Sequence, residues 1–391
     1  MHFLLSAGEA SGDTYGAQLI ESLKELVPGA TFFGMGGEKM EAAGCELVVN
    51  AAEVAIVGLV EVLTHLPRIY GKFQDMVASA KQREAVAAIL IDFPEFNLRL
   101  ARKLHELGIP VFYFVSPQVW AWRSGRVKQI QKYVRKMIVI FPFEVGFYRK
   151  HNVKVSYVGH PLAYGPDPSI TREEFAARYD LNASKPWIAL LPGSRKKEVQ
   201  MNLPAMLKAA ELLGSDYEYV LPVASTLRSQ LATGDELDAV QFAMAMEEMD
   251  SAGVPITLTG DSRSTVKHSV AGVIASGTAT VEAALLGIPF VVVYRLSGLT
   301  WLLGRRLVKL DTFAMPNLIA GRKVVRELIQ RDFTAQNIVK ELEAILPDGA
   351  RRWQMLKDLS QVREKLRDSK DPQQPAMRAA REILQDLKGH K

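Results

Sequence analysis

Two short stretches of this 391-residue chain combine small residues, hydroxyls and charges at a spacing that suits phosphate. The first is Ser276-Gly277-Thr278-Ala279, which lies between two apolar runs and is followed one helical turn later by Glu282. A helix that begins at such a turn directs its first amides and its positive dipole end at an anion. Phosphate is therefore the natural ligand, and Glu282 is placed to hydrogen-bond a ribose. The alternative is an ordinary strand–helix corner in which Glu282 only complements the dipole.

The second stretch is Gly193-Ser194-Arg195, which follows the apolar run 187–191 and continues into two lysines. Turn amides beside an arginine suit phosphate, because a guanidinium donates two parallel hydrogen bonds to phosphate oxygens. A solvated basic turn is the plainer interpretation. The solvated-turn interpretation is less favoured, because both phosphate-suited turns lie in the same half of the chain.

One carboxylate in the other half is placed for proton transfer. Asp92 directly follows the apolar run 85–91, and ligands of open α/β sheets bind at the carboxyl ends of the strands. Asp92 is therefore the best-placed candidate general base, with a helix cap near Asn97 as the structural alternative. The loop 116–123 is expected at the same sheet edge. Its two tryptophans suit a carbohydrate or apolar pocket, although plain packing is at least as common.

The composition is that of a globular protein from a reducing compartment. Hydrophobic residues make up 48% and charged residues 23%, and the single cysteine, Cys45, excludes both an intrachain disulfide and a cysteine-based zinc cluster. The apolar start is too short for a signal peptide, and no run reaches the ~18 residues of a transmembrane helix. We therefore expect a cytosolic protein. A net charge of +5 suits nucleic acid, phosphorylated substrates or an anionic membrane.

The elements that must position these residues alternate between strand and helix. Apolar runs at 2–8, 30–33, 85–91, 111–115, 137–141 and 155–158 predict one set of parallel strands, and runs at 187–191, 219–223, 256–258, 271–275 and 289–294 predict a second set. Gly165-Pro166-Asp167-Pro168 is the best candidate linker. We therefore predict an α/β fold of two Rossmann-like doubly wound domains, 1–164 and 165–348, that face a cleft. The helical tail 349–391 is predicted to pack back on the first domain.

Two further segments have a pattern suited to a lipid surface. The segment 54–70 is apolar nearly all round and ends in cations; the residues of interest are Val57, Leu59, Val60, Leu63, Leu66 and Arg68. The segment 299–309 alternates apolar and cationic residues on a helical period, including Trp301, Leu302, Arg305 and Arg306. Burial is the more common explanation of the first pattern, and a basic helix packed on a sheet would produce the second.

Several kinds of site have no signal in the sequence. The chain has no D-x-D triplet, histidine cluster or Walker loop, so a metal-chelated pyrophosphate or hydrolysed ATP is not expected. The loop after the first strand lacks the G-x-G-x-x-G spacing, which disfavours a nicotinamide oxidoreductase. A leaving diphosphate would instead be stabilised by amides, a helix dipole and Arg195.

Taken in order, the motifs resemble those of the lipid-A-disaccharide synthases over nearly the whole chain. They are Gly8-Glu9-Ala10-Ser11-Gly12-Asp13, Ile91-Asp92-Phe93-Pro94, Ser116-Pro117-Gln118-Val119-Trp120-Ala121-Trp122-Arg123, Leu191-Pro192-Gly193-Ser194-Arg195, the Ser276 to Glu282 stretch and Pro316-Asn317-Leu318. The tryptophan-rich loop is the most specific. The resemblance implies a bacterial, inverting glycosyltransferase of the GT-B fold. Such an enzyme joins UDP-2,3-diacylglucosamine to 2,3-diacylglucosamine 1-phosphate through a β-1,6 bond and releases UDP, with no metal or cofactor.

The resemblance also implies residue roles, with Asp92 as the base that deprotonates the acceptor 6-hydroxyl. The implied UDP contacts are Gly193, Ser194, Arg195, Ser276, Gly277, Thr278, Ala279, Glu282 and Asn317. The implied donor-sugar or acceptor contacts are Glu9, Ser11, Gly12, Ser116, Gln118 and Trp120. An acyl-chain surface near 54–70 favours the membrane interpretation.

The expected partners are acylated glucosamine substrates and the inner face of the inner membrane, to which the cytoplasmic protein would bind peripherally. No nucleic-acid partner is expected. A homodimer that exchanges C-terminal segments is compatible with the amphipathic tail.

The sequence departs from the family pattern at two points. Ala163-Tyr164 follows the Gly-His-Pro-Leu turn where the family usually has an acid, and the acid after Asp92 is Glu95 rather than aspartate. The nearest alternative function is another GT-B enzyme, a UDP-N-acetylglucosamine transferase or epimerase that acts on unacylated sugar. A non-catalytic two-lobed binding protein is a further alternative, disfavoured by the missing signal peptide.

Overall fold

The computed structural model describes residues 1–54, 61–122, 125–223, 253–295, 312–367 and 371–389, with the backbone alone for residues 61–66 and 121–122. The chain forms two compact units. The first unit contains Met1–Tyr164 and Leu366–Lys391, and the second contains Gly165–Lys365.

The first unit is built on a parallel sheet of seven strands in the order β3-β2-β1-β4-β5-β6-β7. The strands are β1 (His2–Ala7), β2 (Thr31–Gly36), β3 (Cys45–Asn50), β4 (Ala87–Ile91), β5 (Val111–Phe114), β6 (Lys136–Val139) and β7 (Val155–Tyr157). The helices are α1 (Ala10–Leu26), α2 (Glu38–Ala42), α3 (Glu61–Gln82), α4 (Pro94–Glu106), α5 (Val119–Trp122), α6 (Gly125–Tyr133) and α7 (Pro142–Lys150), with short 3-10 turns at Ala51–Glu53 and Pro161–Ala163.

Central strands of this sheet are buried on both faces, and this is why they are continuous apolar runs in the sequence. All five residues of β4 are buried. The edge strand β3 is different, because only Cys45 and Val49 among its six residues are buried. Strand β3 was not predicted from the sequence, because an edge strand needs no continuous apolar run.

The second unit has a parallel sheet of six strands in the order β10-β9-β8-β11-β12-β13. The strands are β8 (Trp187–Leu191), β9 (Glu218–Pro222), β10 (Ile256–Thr259), β11 (Ala271–Ala275), β12 (Phe290–Tyr294) and β13 (Arg326–Ile329). The helices are α8 (Arg172–Tyr179), α9 (Lys196–Leu213), α10 (Ser262–His268), α11 (Thr278–Leu286), α12 (Met315–Ala320), α13 (Ala335–Glu343) and α14 (Ala350–Leu366), with a 3-10 turn at Gln330–Asp332.

Both sheets reverse their chain order at one point. In the first unit the reversal lies between β1 and β4, and in the second unit it lies between β8 and β11. In doubly wound sheets, ligands bind outside the carboxyl ends of the strands at this switch point. The topology therefore marks one candidate edge in each unit.

The predicted tail, 349–391, is divided between the units. Helix α14 lies in the second unit up to Lys365, where Asp358 forms an ion pair of 2.7 Å with Arg322. The last helix, α15 (Pro375–Lys388), packs on α1 and adds Ala379, Ala380 and Ile383 to the core of the first unit. Among the described helices, none combines the length and the apolar character that a membrane crossing needs.

Candidate functional site

Asp92 lies at the switch point of the first unit, directly after β4, and the neighbouring strand β1 leads into Glu9. The backbone of Asp92 is held on both sides. Its N–H donates to the Phe114 carbonyl at 3.3 Å, and its carbonyl accepts from the Tyr113 hydroxyl at 2.5 Å and from the Asn97 amide at 2.8 Å. The side chain is only partly buried. The carboxylate is therefore presented at the edge by a fixed backbone.

The backbone at this edge is strained. Asp92, Phe93 and Val115 adopt left-handed φ values of 45°, 48° and 61°, a region that is costly for side chains with a Cβ and most of all for valine. Gly8 makes the arrangement feasible, because a Cβ at Gly8 would lie 2.3 Å from the Phe93 ring. Strain of this kind is concentrated at functional sites.

The residue that precedes α4 is Phe93, and its side chain makes no cap hydrogen bond. Asn97 is fully buried, where its amide donates to the carbonyls of Ser6, Ile91 and Asp92. Asn97 thus ties β1 to the end of β4.

The tryptophan-rich loop is anchored on α7. The Ser116 hydroxyl is buried and lies 2.7 Å from the Tyr148 hydroxyl. The Trp120 indole donates to Glu144 at 3.3 Å and meets the Phe143 ring edge-on, with centroids 5.0 Å apart. Gln118, between these anchors, is exposed. Of the three predicted contact residues, Gln118 is thus open to a ligand, while Ser116 is taken up by packing.

Glu144, a buried acid at this edge, was not predicted from the sequence. The side chain is 1% exposed, and burial raises the pKa of its carboxyl to about 8. Hydrogen bonds from Ser116, Phe141 and Trp120 act in the opposite direction, and the negative charge of Asp92 raises the pKa further. A proline at the first and an acid at the third position of α7 are the helix-start signals in the sequence.

The Gly-Glu-Ala-Ser-Gly-Asp motif contains both exposed and structural residues. Glu9 and Ser11 are exposed at the start of α1. Gly12, which was predicted to contact a sugar, is buried, and a Cβ there would lie 3.3 Å from the Ala7 Cβ. Gly12 therefore serves the close approach of α1 to β1. Asp13 accepts hydrogen bonds from the amides of residues 37, 39 and 40 at 2.7 to 3.1 Å, so it caps α2.

The two departures from the family pattern have local explanations. Glu95 forms an ion pair with Arg126 on α6. Tyr164 stands where the family usually has an acid, and its hydroxyl accepts a hydrogen bond from the buried Arg378 at 3.2 Å. Tyr164 thus supplies an oxygen acceptor without the charge.

The switch point of the second unit brings the two phosphate-suited turns together, because β8 and β11 are neighbours with Ile274 beside Leu191. Gly277 precedes α11 with φ at 154°, and Gly277 and Thr278 are exposed. The Thr280 hydroxyl closes the first turn on the Gly277 carbonyl at 2.7 Å. The amides at the start of α11 therefore face an accessible edge.

The donors of the Gly-Ser-Arg turn bind a carboxylate of the protein itself. Glu198 accepts from the amides of Ser194 and Arg195 at 3.1 and 3.3 Å and from the Arg195 guanidinium at 3.3 Å. Gly193 is required here, because its φ is 128° and a Cβ would lie 2.6 Å from Glu198. The turn thus binds an anionic group, which a phosphate would have to displace.

Glu282, on the second turn of α11, is partly buried. Burial raises the pKa of its carboxyl, the positive charge of Arg263 lowers it, and the negative charge of Asp261 raises it again. Arg263 is a second residue that the sequence analysis missed. Its Nε is buried and, among the described residues, has no hydrogen-bond partner. Such groups are rare in native proteins, and this one lies close enough to Glu282 to act on its charge.

Asn317, which was predicted to line the UDP pocket, has hydrogen bonds that tie it to the chain around it. It is fully buried; its amide donates to the Val325 carbonyl and to Glu327, and its oxygen accepts from the amides of Val324 and Val325. All four hydrogen-bonding positions are used within the chain. Glu327 also accepts from the amides of residues 313 and 314, which ties this loop to β13.

Most of the predicted lipid-contact residues lie outside the described residues, namely Val57, Leu59, Val60, Trp301, Leu302, Arg305 and Arg306, and for Leu63 and Leu66 only the backbone is described. Arg68 pairs with Glu53 at 3.0 Å and is 58% exposed. Tyr70, two positions further along α3, is 63% exposed.

Sequence comparisons identify relatives along nearly the whole chain. A family model described as lipid-A-disaccharide synthetase matches residues 3–381. The chain is 53% identical to a lipid-A-disaccharide synthase of Koribacter versatilis, which covers 97% of both chains. It is 51% identical to the enzyme of that name from Acidobacterium capsulatum, which covers 93% of this chain and 92% of the other.

Solved structures show the same fold at low identity. A UDP-GlcNAc 2-epimerase from Neisseria meningitidis, bound to UDP-GlcNAc, matches all of both chains with a TM-score of 0.62 and 11% identity. The calicheamicin glycosyltransferase CalG4 matches 99% of this chain and 98% of its own, with a TM-score of 0.57 and 15% identity. These similarities confirm the predicted two-domain Rossmann-like α/β fold.

Proposed function

Because the chain belongs to the lipid-A-disaccharide synthetase family, we propose that it transfers 2,3-diacylglucosamine from its UDP derivative to 2,3-diacylglucosamine 1-phosphate. The products are the lipid A disaccharide 1-phosphate and UDP. The observation that carries this proposal is the position of Asp92, which the strained backbone after β4 presents at the switch point of the first sheet.

In the proposed reaction, Asp92 takes the proton of the acceptor 6-hydroxyl as its oxygen attacks the anomeric carbon of the donor. The new C–O bond forms on the face opposite the UDP oxygen, the bond to UDP breaks, and the configuration inverts. A carboxylate suits this role, because the hydroxyl becomes more acidic as its oxygen bonds to the anomeric carbon in the transition state.

The edge of the second unit would hold UDP. The amides at the start of α11, the dipole of that helix and Arg195 would stabilise the diphosphate as its charge increases. Glu282 would accept hydrogen bonds from the ribose. The proposal assigns charge stabilisation to these groups and requires no metal or cofactor.

The proposal also includes peripheral binding to an anionic membrane, where the acylated substrates would be found. The described support is the exposure of Arg68 and of Tyr70 on α3 and the net charge of +5. Exchange of C-terminal helices in a homodimer stays a prediction.

The test is turnover of the two acylated substrates, followed by UDP release and by mass spectrometry of the disaccharide. We expect Asp92→Asn to lower kcat about 10²- to 10⁴-fold and to leave the dissociation constant of UDP within about twofold. Asp216→Asn, an exposed aspartate of the second unit, is the matched control. A fully active Asp92→Asn variant would remove Asp92 from the mechanism. Equal activity on deacylated sugars would favour the alternative GT-B enzyme.

A further inference from the structure

Glu144 is a buried acid that the proposed reaction does not use. Its two carboxylate oxygens have different partners: Oε2 accepts from the Phe141 amide at 3.2 Å, and Oε1 accepts from the Trp120 indole at 3.3 Å. The first contact caps α7, as an acid at this helix position commonly does. The second contact reaches out of the helix to the loop that follows β5.

We propose that Glu144 is a positioning residue for the acceptor substrate, because it fixes the Trp120 indole and the loop 116–120 at the edge that presents Asp92. The inference rests on the proposed function, since the identity of the bound molecule comes from it. Glu144 itself is 1% exposed and does not touch the substrate.

The loop is held at both ends by one helix. Ser116 at its start lies 2.7 Å from the hydroxyl of Tyr148, and Trp120 at its end bonds to Glu144, one helical turn before Tyr148. Gln118 projects between the two anchors and is exposed. With both ends fixed, the position of Gln118 is fixed as well.

Aromatic contacts restrict the indole further. Phe143 meets Trp120 edge-on, and Phe141 stacks on Phe143 with centroids 5.7 Å apart. Aromatic packing fixes the plane of the indole, but the same plane is kept when the ring turns by about 180° around its Cβ–Cγ bond. The hydrogen bond to Glu144 selects one orientation, because the indole has a single N–H donor.

A helix cap alone does not explain the arrangement. Capping needs only one oxygen and is compatible with a solvent-exposed carboxylate, as Glu174 shows at the start of α8. Glu144 is instead enclosed at the high cost of burying an acid, and a pKa of about 8 leaves it mostly protonated at neutral pH. An uncharged acid can hold Trp120 without adding a second full negative charge near Asp92.

Three variants test the inference in the full chain. Glu144→Met keeps the length of the side chain and removes both acceptor oxygens, Glu144→Gln keeps one acceptor, and Trp120→Phe removes the donor but keeps a ring against Phe143. We expect Glu144→Met and Trp120→Phe to raise KM for the acceptor about five- to tenfold, with KM for the UDP-sugar within twofold. Glu144→Gln should recover part of the loss.

The double variant Glu144→Met/Trp120→Phe should raise KM for the acceptor no more than the more affected single variant does. Both changes break the same contact, so their effects should not add. Trp353→Phe, which alters a tryptophan that is 62% exposed in the second unit, is the matched control. Additive losses, or equal increases in both KM values, would contradict the inference.

A spectroscopic test is independent of turnover. The protein is labelled with 5-fluorotryptophan, and the ¹⁹F resonance of Trp120 is assigned by its loss in Trp120→Phe. We expect this resonance to move in Glu144→Met and to stay unchanged in Glu106→Gln, an exposed acid of α4. An unmoved resonance overturns the positioning role. If the resonance moves but the wild-type protein makes no disaccharide, the contact stands and the proposed function falls.

Discussion

The buried Glu144 predicts a specific dependence of stability on pH. In the folded protein its carboxyl has a pKa of about 8, and in the unfolded chain it returns to the ordinary value of 4.5. Between these two values the folded state keeps a proton that the unfolded state has lost. The contribution is therefore fully present below pH 4.5, decreases as the pH rises, and is lost above pH 8.

The size of the effect follows from the two pKa values. Each pH unit in this window lowers the free energy of unfolding by about 1.4 kcal/mol, and the whole window corresponds to roughly 5 kcal/mol. A change of this size is a large part of the 5–15 kcal/mol that stabilises a typical domain.

The perturbation is Glu144→Gln, since glutamine resembles the protonated acid and does not titrate. Urea unfolding of both proteins, followed by tryptophan fluorescence at pH 5.5, 6.5, 7.5 and 8.5, gives the difference in unfolding free energy. Asp92 and Tyr148, the titratable neighbours of Glu144, remain in both proteins, so the subtraction isolates Glu144. A hydrogen bond lost in the variant changes this difference in unfolding free energy by the same amount at every pH.

We expect the advantage of the variant to grow by about 2.7 kcal/mol between pH 5.5 and 7.5 and to level off above pH 8. Tyr113→Phe, at a buried tyrosine of the same edge that does not ionise in this range, should run parallel to the wild type. A difference that stays constant across the four pH values would show that Glu144 ionises normally, and the argument from burial would be refuted.

Three further predictions concern stability. Burial lowers the pKa of His160 from 6.5 to about 3, so its contribution to the free energy of unfolding is present above pH 6.5 and is lost as the pH falls. In the wild type this loss amounts to about 1.4 kcal/mol of unfolding free energy per pH unit. His160→Asn should therefore make the unfolding free energy less dependent on pH in this acid range. Gly8→Ala should destabilise the fold by about 1–3 kcal/mol and lower the melting temperature, because the new Cβ would lie 2.3 Å from the Phe93 ring. Adding Phe93→Ala to the same chain should relieve this clash. An unchanged melting temperature in Gly8→Ala would contradict the close approach. Asn317→Ala should lower the free energy of unfolding in urea by about 2–4 kcal/mol, because buried backbone groups lose their partner. The affinity of the folded variant for UDP, measured by calorimetry, should stay within about threefold of the wild type. A large loss of affinity at unchanged stability would instead support the predicted ligand contact.

Prediction from sequence was most successful where burial is two-sided. The strands β4, β8 and β11 are buried at every position, and their apolar runs identified both the strands and the loops that follow them. The predicted family and fold were confirmed by the comparisons. The edge strand β3 was not predicted because only two of its six residues are buried.

The direction in which each side chain points could not be predicted from the sequence. Gly12 and Asn317 belong to motifs of the family and look like ligand contacts, yet one fills a helix–strand contact and the other satisfies buried backbone groups. The motif of Gly12 also includes the exposed Glu9 and Ser11. A motif shows that a place in the chain matters, but it does not show which residues of the motif face a ligand.

By itself, the sequence determined where the strands end, and therefore that Asp92, Gly193 and Ser276 lie at the carboxyl edges of parallel sheets. That information is local, since it is carried by runs of apolar residues and by the small residues after them. Only the tertiary structure decided that Glu144 shares an edge with Asp92 and holds Trp120. Residues 24 to 52 positions apart meet there because β4, β5 and β6 are neighbours in the sheet, and no local pattern records that order.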